Sequence, residues 1–260
     1  MAANKKTMEF TAKNVKSFAG WLKRFSTIDK SLLLEIDQNT STFIAKTYNE
    51  ERSVVKMSSI RFDEAGLTTT TTSSSKRIKV GIFNISQIIK IMDQFNDAEF
   101  TLSVEYQDLI TDNDTQYAAE KILLKNKNLK MTIDCTSLNI FKYISDDLFK
   151  NQIASIDEIC SFELTKAGIE KINTLNSLDN ENKFMQFKIG GNKTQVSGKT
   201  YEFDIAENNV KSESSLSIFK DQYSTLDTEN YNVDLGEDRL VFKSKESDTI
   251  TVISKAEDTE

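Results

Sequence analysis

The sequence contains no histidine and no proline, and only two cysteines and one tryptophan among its 260 residues. The absence of histidine removes the commonest general base, the commonest metal ligand and every Ser-His or Cys-His nucleophile pair. Without proline, the turns must be built from Gly, Asn, Asp and Ser. Carboxylate or lysine chemistry remains open, but no carboxylate pair stands out as an acid–base couple. We therefore expect a protein that is not an enzyme and that needs no metal or cofactor.

The two cysteines and the N-terminal segment bear on the cellular compartment. Cys135 and Cys160 lie far apart and form no C-x-x-C motif, so we interpret them as buried thiols in a reducing compartment. No apolar segment follows Lys5 and Lys6, and no run approaches the ~18 apolar residues of a membrane span. These features predict a cytoplasmic protein, in the host cytoplasm if the source is viral.

Length and composition are those of a globular protein with two domains. Hydrophobic residues make up 38% of the chain and charged residues 28%. The net charge of −7 argues against a surface that coats nucleic acid uniformly, but it does not say where the positive charges lie.

An order of one strand, one helix and three strands recurs along the chain. In the first half, strand-like alternation and helical spacing succeed one another in that order twice, with Asn84 and Gln87 placed as an N-cap pair for the second helix. The predicted strands are Met8–Thr11, Leu32–Ile36, Thr42–Tyr48, Val54–Ile60, Ile78–Phe83, Glu99–Tyr106, Lys121–Leu124 and Leu129–Cys135, and the predicted helices are Ala12–Phe25 and Ile85–Phe95.

The second half repeats this order twice more. The predicted strands are Ile156–Leu164, Phe184–Ile189, Thr194–Ser197, Tyr201–Ile205, Ser214–Ile218, Tyr231–Leu235, Leu240–Lys243 and Thr249–Ser254, and the predicted helices are Thr165–Leu178 and Phe219–Asp227. Such internal repetition is a stronger signal than any single element. We predict an N-terminal domain over residues 1–135, an apolar connector over 136–155 that packs on the domains, and a C-terminal domain over 156–260.

Positive charge is concentrated on the predicted helices. The four helices together carry a net +4, most of it from the first, and the rest of the acidic chain carries −11. On the first helix, Lys13, Lys16, Lys23 and Arg24 lie opposite the face formed by Phe18 and Leu22. A basic stripe with an apolar back suits a helix that packs on a sheet and presents cations to phosphates, although a solvated lysine face would look the same. Trp21 lies on the flank and is predicted to pack rather than to stack on bases.

Two motifs suggest other chemistry and fail on their spacing. Gly191 and Gly198-Lys199-Thr200 have six residues between the glycines, where a phosphate-binding loop needs four and a following helix, so we predict a hairpin turn. Asp112-Asn113-Asp114 opens like a calcium loop, but Tyr117 stands where the loop needs glycine and Leu123 where it needs glutamate.

Taken together, the four β-α-β-β-β units, the cationic helices and the acidic remainder resemble the DNA sliding clamps, which include PCNA and the clamps of tailed phages. Two segments also resemble the clamps in their local sequence, Asn14-Val15-Lys16-Ser17-Phe18 at the first helix and Val80-Gly81-Ile82-Phe83-Asn84-Ile85 at the entry to the second. The resemblance covers nearly the whole chain and is one of architecture rather than of a catalytic motif. It implies an α+β fold of two similar clamp domains, each of two β-α-β-β-β units, with helices lining the interior of a ring and sheets outside.

The resemblance also implies partners and site residues. Two domains per chain require a homotrimer to form a ring around double-stranded DNA, which the protein would bind without reading sequence while it tethers the replicative polymerase. The DNA-facing residues implied by helix position are Lys13, Lys16, Lys23, Arg24, Lys90, Lys166, Lys171 and Lys220. DNA polymerase and clamp loader would bind by peptide motifs in an apolar pocket beside the connector, formed by Leu138, Ile140, Phe141, Tyr143, Ile253 and Ala256.

Two other functions fit parts of the sequence. A β-rich viral structural or assembly protein would explain the acidity but not the fourfold unit or the cationic first helix. A monomeric clamp-like processivity factor would bind DNA by one basic face without forming a ring.

Overall fold

Two compact units make up the chain in a computed structural model, which describes residues 6–12, 15–70, 76–95, 99–110, 115–139, 143–207 and 213–256. The first unit takes the described residues up to Thr47 together with Ser58–Tyr143. The second takes Tyr48–Met57 and the described residues from Ile144 onward. The division after Tyr143 therefore falls within the predicted connector. The segment Tyr48–Met57, which comes from the N-terminal half of the chain, belongs to the second unit.

The first unit is built on antiparallel sheet. Strand β2 pairs with β3 and β6, β7 pairs with β1 and β8, and β8 also pairs with β9, while a short parallel contact joins β6 to β8. The elements of the first half are β1 (Lys6–Ala12), α1 (Lys16–Lys23), β2 (Leu32–Asp37), β3 (Thr42–Tyr48), β4 (Val54–Arg61), β5 (Leu67–Thr69), β6 (Arg77–Ile82), α2 (Ile85–Asp93), β7 (Phe100–Ile110), β8 (Thr115–Lys125) and β9 (Lys130–Asp134).

Aromatic side chains fill the middle of the first unit. Alternate residues of β1 point into the core, and the Phe10 ring meets those of Phe43 and Phe62 at centroid distances of 5.4 and 5.0 Å. From α1, Phe18 lies 4.7 Å from Phe43. Full burial of one such side chain is worth about 2 kcal/mol, so this cluster fixes α1 against the strands with its lysines turned away.

The second unit repeats the same connectivity. It contains α3 (Asp146–Ala154), β10 (Glu158–Leu164), α4 (Lys166–Leu178), β11 (Phe184–Gly190), β12 (Lys193–Ser197), β13 (Glu202–Glu207), β14 (Ser214–Phe219), α5 (Lys220–Tyr223), β15 (Tyr231–Gly236), β16 (Arg239–Ser244) and β17 (Asp248–Ser254). Strand β11 pairs with β12 and β14, β12 pairs with β13, and a second sheet runs β10-β15-β16-β17. The pairings β10–β15 and β11–β14 match β1–β7 and β2–β6 of the first unit, which confirms the fourfold β-α-β-β-β order.

Three elements differ from the sequence-based prediction. The connector contains a helix, α3, which Ser145 caps through its side chain and which buries Phe149. The last helix, α5, is only four residues long, whereas Phe219–Asp227 was predicted. Strands β7 and β8 extend beyond Glu99–Tyr106 and Lys121–Leu124 toward the Asp112–Asp114 segment, which lies outside the described residues.

The hairpin end of β4 packs inside the second unit. Val55 shares an apolar cluster with Phe149, Val241 and Val252, and the Ser254 backbone N–H donates to the Ser53 carbonyl at 2.8 Å. Next to Val55, the fully buried Lys56 ammonium donates to the Thr225 carbonyl at 2.8 Å and to Asp227 Oδ2 at 3.1 Å. Residues 53–57 thus extend the sheet beyond β17 with well-buried side chains.

Candidate nucleic-acid interface

Helix α1 presents two exposed lysines opposite its buried face. Phe18 and Leu22 are buried, while Lys16 and Lys23 are exposed. Trp21 is buried and donates its indole N–H to Ser58 Oγ at 3.0 Å, so it packs as predicted and is not available to stack on a base. Arg24, at the C-cap, is half-buried, and Lys13 lies outside the described residues.

Helix α2 packs beside α1 and adds one exposed cation. Asn84 caps it by accepting the Gln87 N–H at 3.0 Å, which confirms the predicted cap pair. Ile85, Ile88 and Met92 are buried, and Lys90 lies exposed on the opposite side in the last turn. Lysine is favourable at this end of a helix because the exposed carbonyl groups carry partial negative charge.

Helix α4 carries two exposed cations of the second unit, Lys166 and Lys171. Thr165 Oγ1 caps it by accepting the Gly168 N–H at 3.1 Å, and Lys166 in the first turn is exposed. The Lys171 ammonium lies 4.2 Å from the centroid of the Phe203 ring, a cation–π contact that holds the charge at the surface beside β13.

The first turns of α1, α2 and α4 contain no acidic residue. Carboxylates are the stabilising choice at these ends because the free N–H groups carry partial positive charge. In α1 and α4 the first residue is instead a lysine, Lys16 or Lys166, so side chain and backbone add to the same positive potential. This arrangement costs a little helix stability and favours a negatively charged partner.

Lys220 differs from the other predicted DNA-facing cations. Its ammonium donates to the Asp179 carbonyl at 2.5 Å and to Asp179 Oδ2 at 2.8 Å, and its side chain is largely buried. This bond to Lys220 is the main reason that the pKa of Asp179 lies below its ordinary value. The charge of Lys220 is therefore neutralised inside the second unit, and we remove this residue from the DNA-facing set.

The predicted partner pocket is only partly supported. Half-buried Leu138 lines a cleft of about 470 Å³ with Ala118, Ala119 and Ser137 in the first unit. Tyr143 is also half-buried, with the Lys79 ammonium 5.3 Å from its ring centroid. Ile140 and Phe141 lie outside the described residues.

Ile253 and Ala256 were predicted as pocket walls, and the structure does not support this. Ile253 is fully buried in the core of the second unit because β17 is flanked by β16 and by the β4 hairpin. Ala256 is also buried, and its backbone N–H donates to the Ser217 carbonyl at 2.8 Å. Both residues serve the fold.

The two cysteine thiols are not activated as nucleophiles. Burial raises the pKa of the Cys135 thiol to about 12 and also raises that of Cys160, so both thiols stay protonated at neutral pH. Among the described residues, no cluster of three or more metal-binding side chains occurs. None of the described helices combines the length and the apolar character needed to cross a bilayer.

Two strand edges went unnoticed in the sequence. Strand β9 forms its ladder with β8 alone, and β13 forms its ladder with β12 alone, among the described strands. Their core-facing side chains, Met131 and Ile133 on β9 and Phe203 and Ile205 on β13, are only half-buried although they pack on the two cores. The alternation in both segments was visible in the sequence, but it does not reveal which strands lack a neighbour.

Comparison with known proteins identifies the fold. The PCNA of Entamoeba histolytica superposes with a TM-score of 0.63 at 13% identity over 96% of this chain and 98% of that one. A structure of A. fulgidus PCNA with the C-terminal region of FEN-1 bound gives 0.60 at 8% identity over 97% and 99%. The Helicobacter pylori beta clamp, bound to a DNA ligase peptide, gives 0.65 at 11% identity over 99% and 67%.

The matched structures differ in how much of their own length this chain covers. The chain spans nearly all of each PCNA, but only about two thirds of the beta clamps, 66% for a chain from Eubacterium rectale described as a DNA polymerase III beta subunit. No family model matches the sequence, and no characterised protein matches it significantly. At these low identities the likeness establishes the fold: the chain has the α+β fold of the DNA sliding clamps, with two similar domains.

Proposed function

We propose that this chain is a DNA sliding clamp, a non-enzymatic ring that encircles duplex DNA and tethers the replicative DNA polymerase. The observation that carries the proposal is the combination of the clamp fold with exposed lysines on helices whose first turns contain no acidic residue. Lys16, Lys23, Lys90, Lys166 and Lys171 are exposed cations that can meet phosphates, and phosphate contacts position a protein on DNA without reading its sequence. The proposed set is completed by Arg24, at the C-cap of α1, and by Lys13, which lies outside the described residues.

Because a clamp touches few phosphates at once, it binds DNA weakly in free solution, and this affinity falls further as salt is raised. Retention on DNA then comes from topology, since a closed ring leaves only by opening or by reaching a DNA end. An acidic protein of net charge −7 can act on DNA in this way because its charge is uneven: the predicted helix segments carry a net +4 and the rest of the chain −11.

Ring closure is supported by the free strand edges. Within the second unit, the end of β4 lies beside β17, and Val55 and Val252 there are each 2% exposed. By the fourfold repeat, β13 corresponds to β4 and β9 corresponds to β17. Among the described strands, the chain thus makes one such pairing internally and leaves one edge of β9 and one edge of β13 without a partner strand, which suits head-to-tail association of three copies.

Two exposed apolar side chains also support the proposal that a second copy covers the edges of β9 and β13. Phe83, 62% exposed, lines a cleft with Ile133 of β9. Leu178, 74% exposed, ends the helix whose Asn176 accepts the Tyr201 hydroxyl just before β13. These are two of three large apolar side chains that are exposed in the described residues. A second copy covering each edge would bury both.

Partner proteins are proposed to bind by short peptides beside the connector. Structures of the two kinds of clamp hold such segments, one from FEN-1 and one from DNA ligase. In this chain the cleft at Leu138 and the neighbouring Tyr143 offer a half-buried apolar surface for peptides of a polymerase or a loader, with Ile140 and Phe141 in the same segment.

The test combines solution mass with retention on DNA. Light scattering at low salt is expected to give three times the chain mass of 29.5 kDa. Protein assembled on a nicked circle should co-elute with the DNA in gel filtration and be lost after the circle is cut once. A chain-sized mass with release governed by salt alone would indicate a monomeric DNA-binding factor, and indifference to DNA would indicate a structural protein.

A further inference from the structure

The hairpin that joins β8 to β9 concentrates positive charge at a free edge. Lys125 and Lys130 are directly opposed in the antiparallel register, and Lys127 lies in the turn between them. All three are exposed, and none forms an ion pair within the described residues. Like charges directly opposite each other destabilise a hairpin, so an isolated chain bears an electrostatic cost that an acidic neighbour would relieve.

The other free edge concentrates negative charge. Strand β13 carries Glu202, Asp204 and Glu207, all exposed, and no basic residue. Lys188 and Lys193 of the same sheet contact Glu202 and Asp204 at 3.3 and 2.5 Å. Both pairs are exposed and screened by solvent, so they are weak and only partly offset the three carboxylates of the strand.

The pleat of the two strands brings these charges together. If the half-buried Met131 and Ile133 join the half-buried Phe203 and Ile205 on the core side, the alternate side chains of both strands share the solvent side. Lys130 of one copy then lies against the acidic side chains of β13 in the next, with Lys125 and Lys127 close behind.

We propose that opposite charges hold the joint between two copies of this chain, with the lysine hairpin of one seated on the acidic β13 of the next. The proposal rests on the ring described above and adds where and how it opens. The corresponding contact inside the second unit is apolar, with Val55, Phe149, Val241 and Val252 in one cluster. Salt weakens exposed charge pairs and strengthens or spares apolar burial, so raised salt opens the ring at the joint between copies.

Charge exchange tests the proposal. Three variants are compared with the wild type: Lys125→Glu/Lys130→Glu, Glu202→Lys/Asp204→Lys, and all four changes in one chain. Each double variant places like charges on both edges and is expected to raise the dissociation constant for self-association at least about tenfold. The fourfold variant restores opposite charges in exchanged positions and is expected to return to within about threefold of the wild type.

A matched control and a fold check accompany these variants. Lys150→Glu/Lys255→Glu changes the net charge by the same amount at exposed positions away from both edges and should leave the mass unchanged. The urea unfolding midpoint of each variant should stay close to that of the wild type, because the changed side chains are exposed and the ion pairs lost from β13 are weak surface pairs. The fourfold variant keeps the test decisive if either double variant folds poorly.

Salt titration of the wild type supplies a second readout and separates the possible failures. Between about 0.05 and 1 M NaCl the Debye length falls to roughly 3 Å, and the mass should fall from trimer to monomer. A trimer that resists both salt and charge reversal would overturn this proposal and leave the clamp intact. Loss of DNA retention at unchanged trimer mass in Lys125→Glu/Lys130→Glu would assign the hairpin to phosphates instead, and a wild-type monomer at low salt would remove the ring itself.

Discussion

Some lysines on the helices of this chain are exposed to solvent and others are buried in ion pairs, and the neighbouring residues determine which. Lys16 and Lys23 stand opposite buried aromatic residues and reach solvent, whereas Lys220 turns inward to a buried carboxylate. The sequence shows a lysine on a helix in all three cases. Only the position of Asp179, 41 residues from Lys220, distinguishes them.

Charge reversal on α1 tests whether the exposed lysines contact DNA. Lys16→Glu/Lys23→Glu should shorten retention on nicked circular DNA several-fold and lower polymerase processivity, because four units of charge change where phosphates pass. The trimer mass should not change, since neither residue lies on β9 or β13. Lys150→Glu/Lys255→Glu serves as the control of equal charge. Unchanged retention would remove Lys16 and Lys23 from the DNA-facing set.

The variant Asp179→Asn tests the buried ion pair between Lys220 and Asp179, with pH as the variable. The pKa of Asp179 is lowered in the folded protein, chiefly by Lys220, so the folded state binds its proton less readily than the unfolded state, where the pKa is about 3.9. The stabilisation is therefore present above about pH 4 and is lost as the pH falls through the lowered value.

Urea unfolding at pH 7 should consequently show Asp179→Asn less stable than the wild type, with the difference shrinking toward pH 3. Glu237→Gln, which removes an exposed carboxylate, should show no such change. An equal difference at both pH values would mean that the loss comes from packing rather than from the ion pair.

At the scale of elements, local sequence specifies helix starts well. Asn84, Ser145 and Thr165 each cap a helix by accepting a backbone N–H three residues on, the arrangement that short polar side chains favour. The cap at Asn84 was predicted from its spacing to Gln87. Helix α3 was missed because its apolar residues suggested a packed connector. Helix α5 was predicted too long because Leu226, beyond the helix end, is buried by tertiary packing.

Thr165→Ala tests the cap of the helix that carries Lys166 and Lys171. Loss of the bond from Gly168 N–H to Thr165 Oγ1 should lower the free energy of unfolding by about 1 kcal/mol. Thr174→Ala, in the exposed middle of the same helix, should change it by less than about 0.5 kcal/mol, since alanine is the better helix former. Equal effects in urea unfolding would show that the cap has no special role.

At the scale of the whole molecule, repetition was the information that the sequence carried most reliably. The fourfold order predicted the clamp fold although no single motif is specific, because each unit must cover its sheet with a helix to bury an apolar face. The sequence could not show that Ile253 is enclosed between β16 and the β4 hairpin, or that among the described strands β9 pairs only with β8 and β13 only with β12. Those facts depend on strand pairings between residues far apart in the chain.

A closed ring and an open binding surface should leave DNA differently. A ring stays on DNA because it is topologically linked to it, whereas an open surface stays only through its affinity. Protein assembled on a nicked circle that is then cut should leave rapidly from open ends. It should remain at least about tenfold longer when both ends carry bulky blocks, at the same salt concentration and with the same DNA contacts. Gel filtration of the two linear products measures this ratio directly, and uncut circles provide the upper limit. A ratio near one would mean that the exposed lysines of α1, α2 and α4 hold DNA by charge alone, as in a monomeric processivity factor.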